Sequence, residues 1–187
     1  GTLGLANGAI ARRMIEAMAH RGPDDSGLHL DEQNRIAIGN CRLSIIDLSP
    51  AAHQPMSYAN NRYWITYNGE VYNFAQVRAD LEHKGHLFAS NSDTEVMLAA
   101  YAEYGPSCLD HLRGMFALAI WDRDERKLFL ARDRFGIKPL YWTQANGVFL
   151  FSSELKGMLA SGLVSRQVNP NAVWQYLSLG SVPAPRT

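Results

Sequence analysis

The apolar and polar positions of this 187-residue chain follow patterns that predict short strands and amphipathic helices. Ile10, Met14 and Met18 fall on one helical face and predict a first helix over roughly 9–19. Helical spacing with capping or terminating residues predicts further helices over 73–85, 92–105, 154–160 and 169–180. Apolar, β-branched and aromatic runs predict two strands within 28–40 and further extended segments at 42–48, 63–67, 114–122, 127–133, 139–143 and 147–153. Because strands and helices do not alternate regularly, we expect an α+β fold with helices covering layered antiparallel sheets.

The segment RYWITYNGEVYNF, residues 62–74, contains Asn68-Gly69 between two apolar runs. Asn-Gly in that setting is typical of a tight hairpin turn, in which Gly69 would make the bend. The helical pattern that begins soon afterwards weakens this interpretation. Alternatively, the Asn68 side-chain amide and the Gly69 backbone N–H are two adjacent donors that could hold a developing oxyanion. The residues alone leave both interpretations open.

Two further charged positions are candidates for binding a ligand. Arg42 directly precedes an apolar segment, where a guanidinium could clamp a carboxylate, although arginines at strand ends are mostly solvated. Asp93 lies within the sequence Ser-Asp-Thr-Glu at the start of a predicted helix. A capping box explains Ser92 and Glu95 but does not require Asp93, whose carboxylate is left to bind an ammonium group.

The spacing of glycines and histidines argues against a phosphate-binding loop and against a metal site. The segment RDRFGIKPLYW, residues 132–142, has one glycine and leads into a strand, unlike a phosphate-binding loop that enters a helix. The six histidines show no metal-ligand spacing, and His83 and His86 are separated by a predicted helix end at Gly85. We therefore expect neither a nucleotide loop nor a metal site in this chain.

Composition and charge narrow the possible binding partners and the cellular location of the protein. Eighteen Lys and Arg residues balance eighteen Asp and Glu residues, which argues against a nucleic-acid or anionic-membrane partner. No apolar run is long enough to span a bilayer, and the start lacks the order of a signal peptide. Cys41 and Cys108 belong to no paired motif, so we expect two buried thiols in a reducing, cytoplasmic location.

Six segments in a fixed order carry a family resemblance: HRGPDDSG, RLSIIDLSPAAHQPM, YNGEVYNF, SDTEVMLAAYAEYG, LRGMFALAIWD and RDRFGIKPLYW. Together they closely resemble the class II, N-terminal nucleophile type of glutamine amidotransferase domain. Within that class the match is to the glutaminase half of glutamine-hydrolysing asparagine synthetase, over about residues 20–187. Two relatives in the same class, glucosamine-6-phosphate synthase and the amidophosphoribosyltransferase, typically carry His-Thr-Arg where this chain reads Asn40-Cys41-Arg42.

The resemblance implies an N-terminal nucleophile hydrolase fold, a four-layer αββα sandwich of two antiparallel sheets. It implies hydrolysis of glutamine to glutamate and ammonia, with no cofactor in this domain. By similarity, Arg42 would bind the α-carboxylate of glutamine and Asp93 its α-ammonium. Asn68 and Gly69 would form the oxyanion hole. The backbone from Leu43 to Ile46 and Glu70 would complete the glutamine pocket.

The family's nucleophile is a cysteine at the mature N-terminus, whose own α-amine can shuttle the proton. This chain begins with Gly1, which could correspond to a later residue of the family's opening strand. Three explanations stay open: the chain is truncated, its first residues are omitted from the printed sequence, or the protein lacks the nucleophile and only binds glutamine. Cys41 and Cys108 are poor substitutes, because neither has a free amine beside it.

The resemblance also implies a larger protein. We expect a glutaminase domain over 1–180 and, over 181–187, the start of a linker to a synthetase domain. That domain would use ATP and Mg²⁺ to transfer the amide nitrogen from glutamine to aspartate in asparagine biosynthesis. The expected partners are glutamine, the synthetase domain and a possible second copy in a homodimer. The alternatives are a regulatory module that binds glutamine without hydrolysing it, and an amidotransferase with another acceptor, such as a sugar acid.

Overall fold

The computed structural model describes residues 1–43 and 52–183, and residues 44–51 and 184–187 lie outside the description. Nine strands are described: β1 (Thr2–Leu3), β2 (Asp25–Asp31), β3 (Ile36–Arg42), β4 (Met56–Tyr58), β5 (Tyr63–Val71), β6 (Gly114–Asp122), β7 (Lys127–Arg132), β8 (Tyr141–Ala145) and β9 (Val148–Ser152). Five α-helices are described: α1 (Gly8–Glu16), α2 (Phe74–His83), α3 (Asp93–Tyr104), α4 (Leu155–Ala160) and α5 (Pro170–Leu179). Most of the segment predicted at 42–48 lies outside the described residues.

The strands form two antiparallel sheets. One has five strands in the order β2-β3-β1-β9-β8, and the other has four in the order β4-β5-β6-β7. The short strand β1 lies in the middle of the first sheet, where Thr2 pairs with Ala37 on one side and Leu150 on the other. In the second sheet β5 and β6 pair along their whole length, from Tyr63 opposite Asp122 to Val71 opposite Gly114.

Three apolar layers hold these elements together. Ile36, Ile38, Trp121 and Phe151 pack between the two sheets, because alternate side chains of each strand face the opposite sheet. The outer face of the four-stranded sheet packs against α2 and α3 through a large cluster that includes Leu98. The outer face of the five-stranded sheet is covered by α1 and α4. The arrangement is the predicted αββα sandwich, so that prediction is confirmed.

Local chemistry explains the helix boundaries. Asn7 caps α1 by accepting the N–H of Ile10 at 3.0 Å. Asn169 caps α5 in the same way, Pro170 occupies its first turn, and Gly180 ends it in the left-handed conformation. A boundary between a domain and a linker at 180 and 181 stays a prediction. No helix in residues 1–43 and 52–183 is long and apolar enough to cross a membrane.

The predicted bend at Asn68-Gly69 is wrong. β5 runs straight through this pair to Val71, and neither residue has the positive φ that a type I′ turn requires. Asn68 lies opposite Ala117 and Gly69 opposite Phe116. The long ladder with β6 outweighs the local Asn-Gly signal, because pairing satisfies the backbone groups along the whole strand.

Candidate functional site

A cavity of about 340 Å³ is lined by residues of both sheets and by the start of α3. It contains the predicted site residues that the structure describes: Arg42, Leu43, Asn68, Gly69, Glu70 and Asp93. Ile46 lies outside the described residues. The segments that supply this lining are far apart in sequence, so the sandwich fold brings the predicted residues together.

The side-chain amide of Asn68 is the most informative group in the cavity. Asn68 shares a strand face with Thr66, whose Oγ1 donates to Gly39 O of the opposite sheet at 3.0 Å, so it faces the space between the sheets. Its Nδ2 is buried and has no hydrogen-bond partner among the described residues. Leaving a buried donor unpaired costs about 1–3 kcal/mol, so such a group is a candidate for binding a ligand.

Gly69 presents its backbone N–H to the same cavity. The N–H groups of Tyr67 and Val71, two residues to either side, donate away from β6, to Gln54 and Asp93. Backbone N–H groups alternate in direction along a strand, so the Gly69 N–H also points away from β6. On β6, the carbonyl oxygen of the opposing Phe116 accepts the Asp133 N–H at 2.7 Å, and the Phe116 N–H donates to the Asp133 side-chain Oδ2 at 3.2 Å. Asn68 and Gly69 therefore supply two neighbouring donors, one from a side chain and one from the backbone.

Gly69 is needed for close packing rather than for a turn. A Cβ on this residue would meet the backbone O of Met115 and lie 2.7 Å from Cα of Phe116. This contact explains a glycine without any unusual φ, since the neighbouring strand fills the space of a side chain.

Asp93 is a buried carboxylate at the first position of α3. It is 5% exposed, and its Oδ2 accepts hydrogen bonds from the Tyr67 hydroxyl at 2.8 Å and the Val71 N–H at 3.0 Å. Burial raises its pKa above the usual range, although these hydrogen bonds and the Thr94 N–H oppose the shift. A buried carboxylate lining a cavity is suited to bind a cationic group.

The predicted capping box forms only in part. Ser92 caps α3 by accepting the Thr94 N–H at 3.1 Å. The carboxylate of Glu95 instead accepts the N–H groups of Ala89 and Ser90, at 2.8 and 2.7 Å, and the Ser90 hydroxyl at 2.6 Å. The preceding turn folds back over the helix start and offers Glu95 these donors.

Arg42 and Glu70 are half-buried residues at other sides of the cavity, and Leu43 is 54% exposed at its rim. Arg42 is the last residue of β3, and its carbonyl oxygen accepts the Asp24 N–H at 3.2 Å. The cavity thus has a basic residue from one sheet and acidic residues from β5 and α3 in its lining.

Neither cysteine has the character of a nucleophile. The Cys41 thiol donates to the Ile15 carbonyl at 3.2 Å, and burial raises its pKa. Burial raises the pKa of Cys108 to about 12. Cys108 is buried as predicted, whereas Cys41 is half-buried and touches the cavity. A raised pKa leaves the thiol protonated and therefore poorly nucleophilic.

Sequence reasoning missed the polar residues that support the site. Gln54 and Tyr67 line the cavity and bond to the segments that carry Asn68 and Asp93. Both residues lie inside segments that carried the family resemblance, but their side-chain partners come from distant parts of the chain. Among residues 1–43 and 52–183 no cluster of His, Cys, Asp or Glu could hold a metal ion.

The charged segment that follows β7, within residues 132–142, is held in place by hydrogen bonds to the side chain of Asp133. Asp133 accepts backbone N–H bonds from Phe135 at 3.2 Å, Ile137 at 2.9 Å and Lys138 at 2.9 Å. Burial raises its pKa, but these bonds and one from Phe116 outweigh burial and hold the pKa below its usual range. The backbone N–H groups of this loop therefore bind the Asp133 carboxylate of the chain itself.

Comparison with known proteins gives the family. A family model described as a glutamine amidotransferase domain matches residues 2–187. The chain is 43% identical, over 178 residues, to asparagine synthetase [glutamine-hydrolyzing] 1 of Bacillus subtilis (strain 168), covering 95% of this chain and 28% of that protein. It is 41% identical, over 149 residues, to amidase chry2 of Gibberella zeae, covering 80% of this chain and 22% of that protein.

Solved structures agree on the fold. The chain superimposes on a B. subtilis glutamine phosphoribosylpyrophosphate amidotransferase, solved with ADP and GMP, with a TM-score of 0.73 and 21% identity. This match covers 90% of this chain and 44% of that one. At such low identity the likeness shows the fold alone. The family model spans nearly every residue, and the chain therefore belongs to the glutamine amidotransferase domain family.

Proposed function

We propose that this chain is a glutaminase domain, which hydrolyses glutamine to glutamate and ammonia in the described cavity. The observation that carries the proposal is the buried Asn68 Nδ2, which has no partner among the described residues and lies beside the Gly69 N–H. Two such donors suit the oxyanion that forms when a nucleophile adds to an amide carbon. Membership of the glutamine amidotransferase domain family supports the same reaction.

The charges of the cavity fit the head group of an amino acid. Arg42 binds the α-carboxylate of glutamine, and Asp93 binds the α-ammonium. Glu70 and the backbone from Leu43 to Ile46 complete the pocket. A zwitterion needs one cation and one anion at its head, and the side-chain amide then extends toward Asn68 and Gly69.

The chemistry needs a thiol, for which the family resemblance implies an N-terminal cysteine. Its thiolate adds to the amide carbon, and the carbonyl electrons move onto the oxygen held by Asn68 and Gly69. Collapse of this intermediate, with a proton delivered to nitrogen, releases ammonia and leaves a thioester. Water then adds through a second oxyanion and releases glutamate and the free thiol.

The register of β1 supports a position for that cysteine ahead of Gly1. Gly1 and Phe151 exchange backbone hydrogen bonds, and Thr2 pairs with Ala37. A residue joined before Gly1 in the same strand would lie between Gly39 and Ser152, both of which line the cavity. A residue preceding Gly1 in this register would therefore lie beside the cavity that Asn68 and Gly69 also line.

The chain spans 28% of the length of the B. subtilis asparagine synthetase it matches, so the activity of a whole protein is a wider proposal. We propose that the ammonia released here amidates aspartate on a synthetase domain that uses ATP and Mg²⁺. A cytoplasmic location and a homodimer stay predictions.

Ammonia release from the full-length protein tests the proposal. With the residues encoded before Gly1 in place, the protein should release ammonia and glutamate in equal amounts from glutamine, without ATP. Mutation of a cysteine found in that segment to alanine should abolish release and retain glutamine binding. Binding without any release by the unaltered protein would instead support a glutamine-binding module. Absence of both would remove glutamine as the ligand.

A further inference from the structure

Gln54 is a buried amide in the wall of the cavity. It is 7% exposed, and its Oε1 accepts the Tyr67 N–H at 2.8 Å and the Asn40 side-chain amide at 3.2 Å. Its Nε2 donates to the Thr94 hydroxyl at 3.3 Å. A single side chain therefore bonds to three segments that are distant from one another in sequence.

The Gln54 side chain takes the place of a missing strand partner. β4 pairs with β5 only as far as Met56 opposite Ile65. Continuing that register would put Pro55, which has no N–H, opposite Thr66. The backbone ladder stops there, and the Gln54 side chain accepts the next outward N–H on β5, that of Tyr67.

Each partner of Gln54 adjoins a residue of the proposed glutamine site. Tyr67 directly precedes Asn68, Thr94 directly follows Asp93, and Asn40 lies two residues before Arg42. We propose that Gln54 is a positioning residue that fixes the oxyanion donors relative to the two groups that bind the amino-acid head. This inference rests on the proposed glutaminase function.

The contacts of Asn40 explain how the Gln54 side chain can position the oxyanion donors relative to the head-binding groups. The Asn40 Nδ2 also lies 3.2 Å from the Thr66 hydroxyl and 3.3 Å from the Tyr67 carbonyl oxygen, so it bridges β3 to β5 across the two sheets. Gln54 extends this bridge to the start of α3 through Thr94. The two charged groups proposed to hold the substrate head, Arg42 and Asp93, belong to the five-stranded sheet and to α3. The oxyanion donors belong to the four-stranded sheet, so their placement relative to the charged groups depends on this connection.

Substitution of Gln54 by methionine tests the role, because methionine has nearly the same length and lacks all three hydrogen bonds. In full-length protein we expect Gln54→Met to lower kcat by roughly 10²-fold, as expected when reacting groups shift by about an ångström. Ser161→Ala is the matched control, since Ser161 is buried, bonded to Met158 O and Leu163 N, and outside the cavity lining. It should lower thermal stability and leave kcat and the KM for glutamine unchanged.

A double mutant separates positioning from general loss of structure. If Gln54 acts by placing Asn68, Gln54→Met should lower kcat at least tenfold less in the Asn68→Ala background than in the wild-type background. The same factor in both backgrounds, or an unchanged kcat in Gln54→Met, would overturn the proposal.

A second variant covers the case in which Gln54→Met fails to fold. Thr94→Val removes only the hydrogen bond between Gln54 and Thr94, and it should raise the Kd for glutamine about fivefold. Unchanged affinity in Thr94→Val would then overturn the proposal. Failure of the proposed function would be visible separately, as wild-type protein that neither binds nor hydrolyses glutamine.

Discussion

The hydroxyl of Tyr67 donates a 2.8 Å hydrogen bond to Oδ2 of Asp93, inside the wall of the cavity. Burial, followed by the neighbouring Asp93 carboxylate, raises the pKa of Tyr67, so the phenol stays protonated and donates at any working pH. The Asp93 carboxylate is fixed in place but poorly solvated, and its pKa is raised as well. A buried acid of this kind costs folding stability and gains its charge partner only when a cation binds.

Asp93→Asn should therefore separate binding from stability. The asparagine Oδ1 can still accept from Tyr67 and Val71, but the side chain cannot balance the α-ammonium of glutamine. We expect the Kd for glutamine to rise by roughly 10²-fold or more, in line with loss of a buried charge partner. Calorimetric titration measures this effect, and wild-type affinity in the variant would exclude Asp93 from the site.

The raised pKa of Asp93 also predicts a pH dependence. A group whose folded-state pKa is raised stabilises the fold below its unfolded pKa, and this contribution is lost as pH rises through the folded pKa. Near neutral pH, Asp93→Asn should hence be at least as stable as the wild type, with the difference disappearing in acid. Glutamine affinity of the wild type should fall on acidification, starting above the pH at which an ordinary aspartate titrates. Thermal unfolding and binding across pH test both signs.

Asn68→Ala should affect turnover far more than binding. The Asn68 Nδ2 is directed at charge that develops during reaction, so we expect kcat to fall roughly 10²–10³-fold with little change in KM. Steady-state measurement of ammonia release from full-length protein provides the comparison. A loss confined to KM would refute the oxyanion role.

Arg42→Ala should abolish binding of glutamine and of glutamate alike, because both carry the α-carboxylate that the guanidinium would hold. Arg12→Ala is a suitable control, since Arg12 is an exposed arginine on α1 outside the cavity lining. Titration with both amino acids should show normal affinity in the control and none in Arg42→Ala. Equal affinity in the two variants would remove Arg42 from the pocket.

Gly69→Ala tests the packing explanation of the glycine. A methyl group would meet the Met115 carbonyl oxygen and the Phe116 backbone on β6, so we expect a loss of about 1–3 kcal/mol in the free energy of unfolding. Turnover should fall too, since separation of β5 from β6 moves the Gly69 N–H. Chemical denaturation gives the stability change, and a fully stable variant would contradict the close approach seen here.

β5 and β6 show which strand boundaries the local sequence pattern could predict and which it could not. For β6 the apolar run alone predicted 114–122, and the structure has the strand over Gly114–Asp122. For β5 the prediction ended at 67, but the strand continues to Val71 because β6 pairs with it across the Asn-Gly pair. A turn signal is local, whereas a strand ladder depends on a partner whose position the sequence pattern does not report.

The sequence alone determined the five helices, most of the strands and the antiparallel α+β architecture, and its ordered motifs gave the residues of the proposed glutamine site. These features depend on local periodicity and on chemically distinctive residues. Tertiary structure decided that Asn68 has a buried, unpartnered donor, that Gly69 serves close packing, and that Gln54 joins three distant segments. Burial and hydrogen-bond satisfaction arise only when sheets and helices meet, so no pattern along the chain could have reported them.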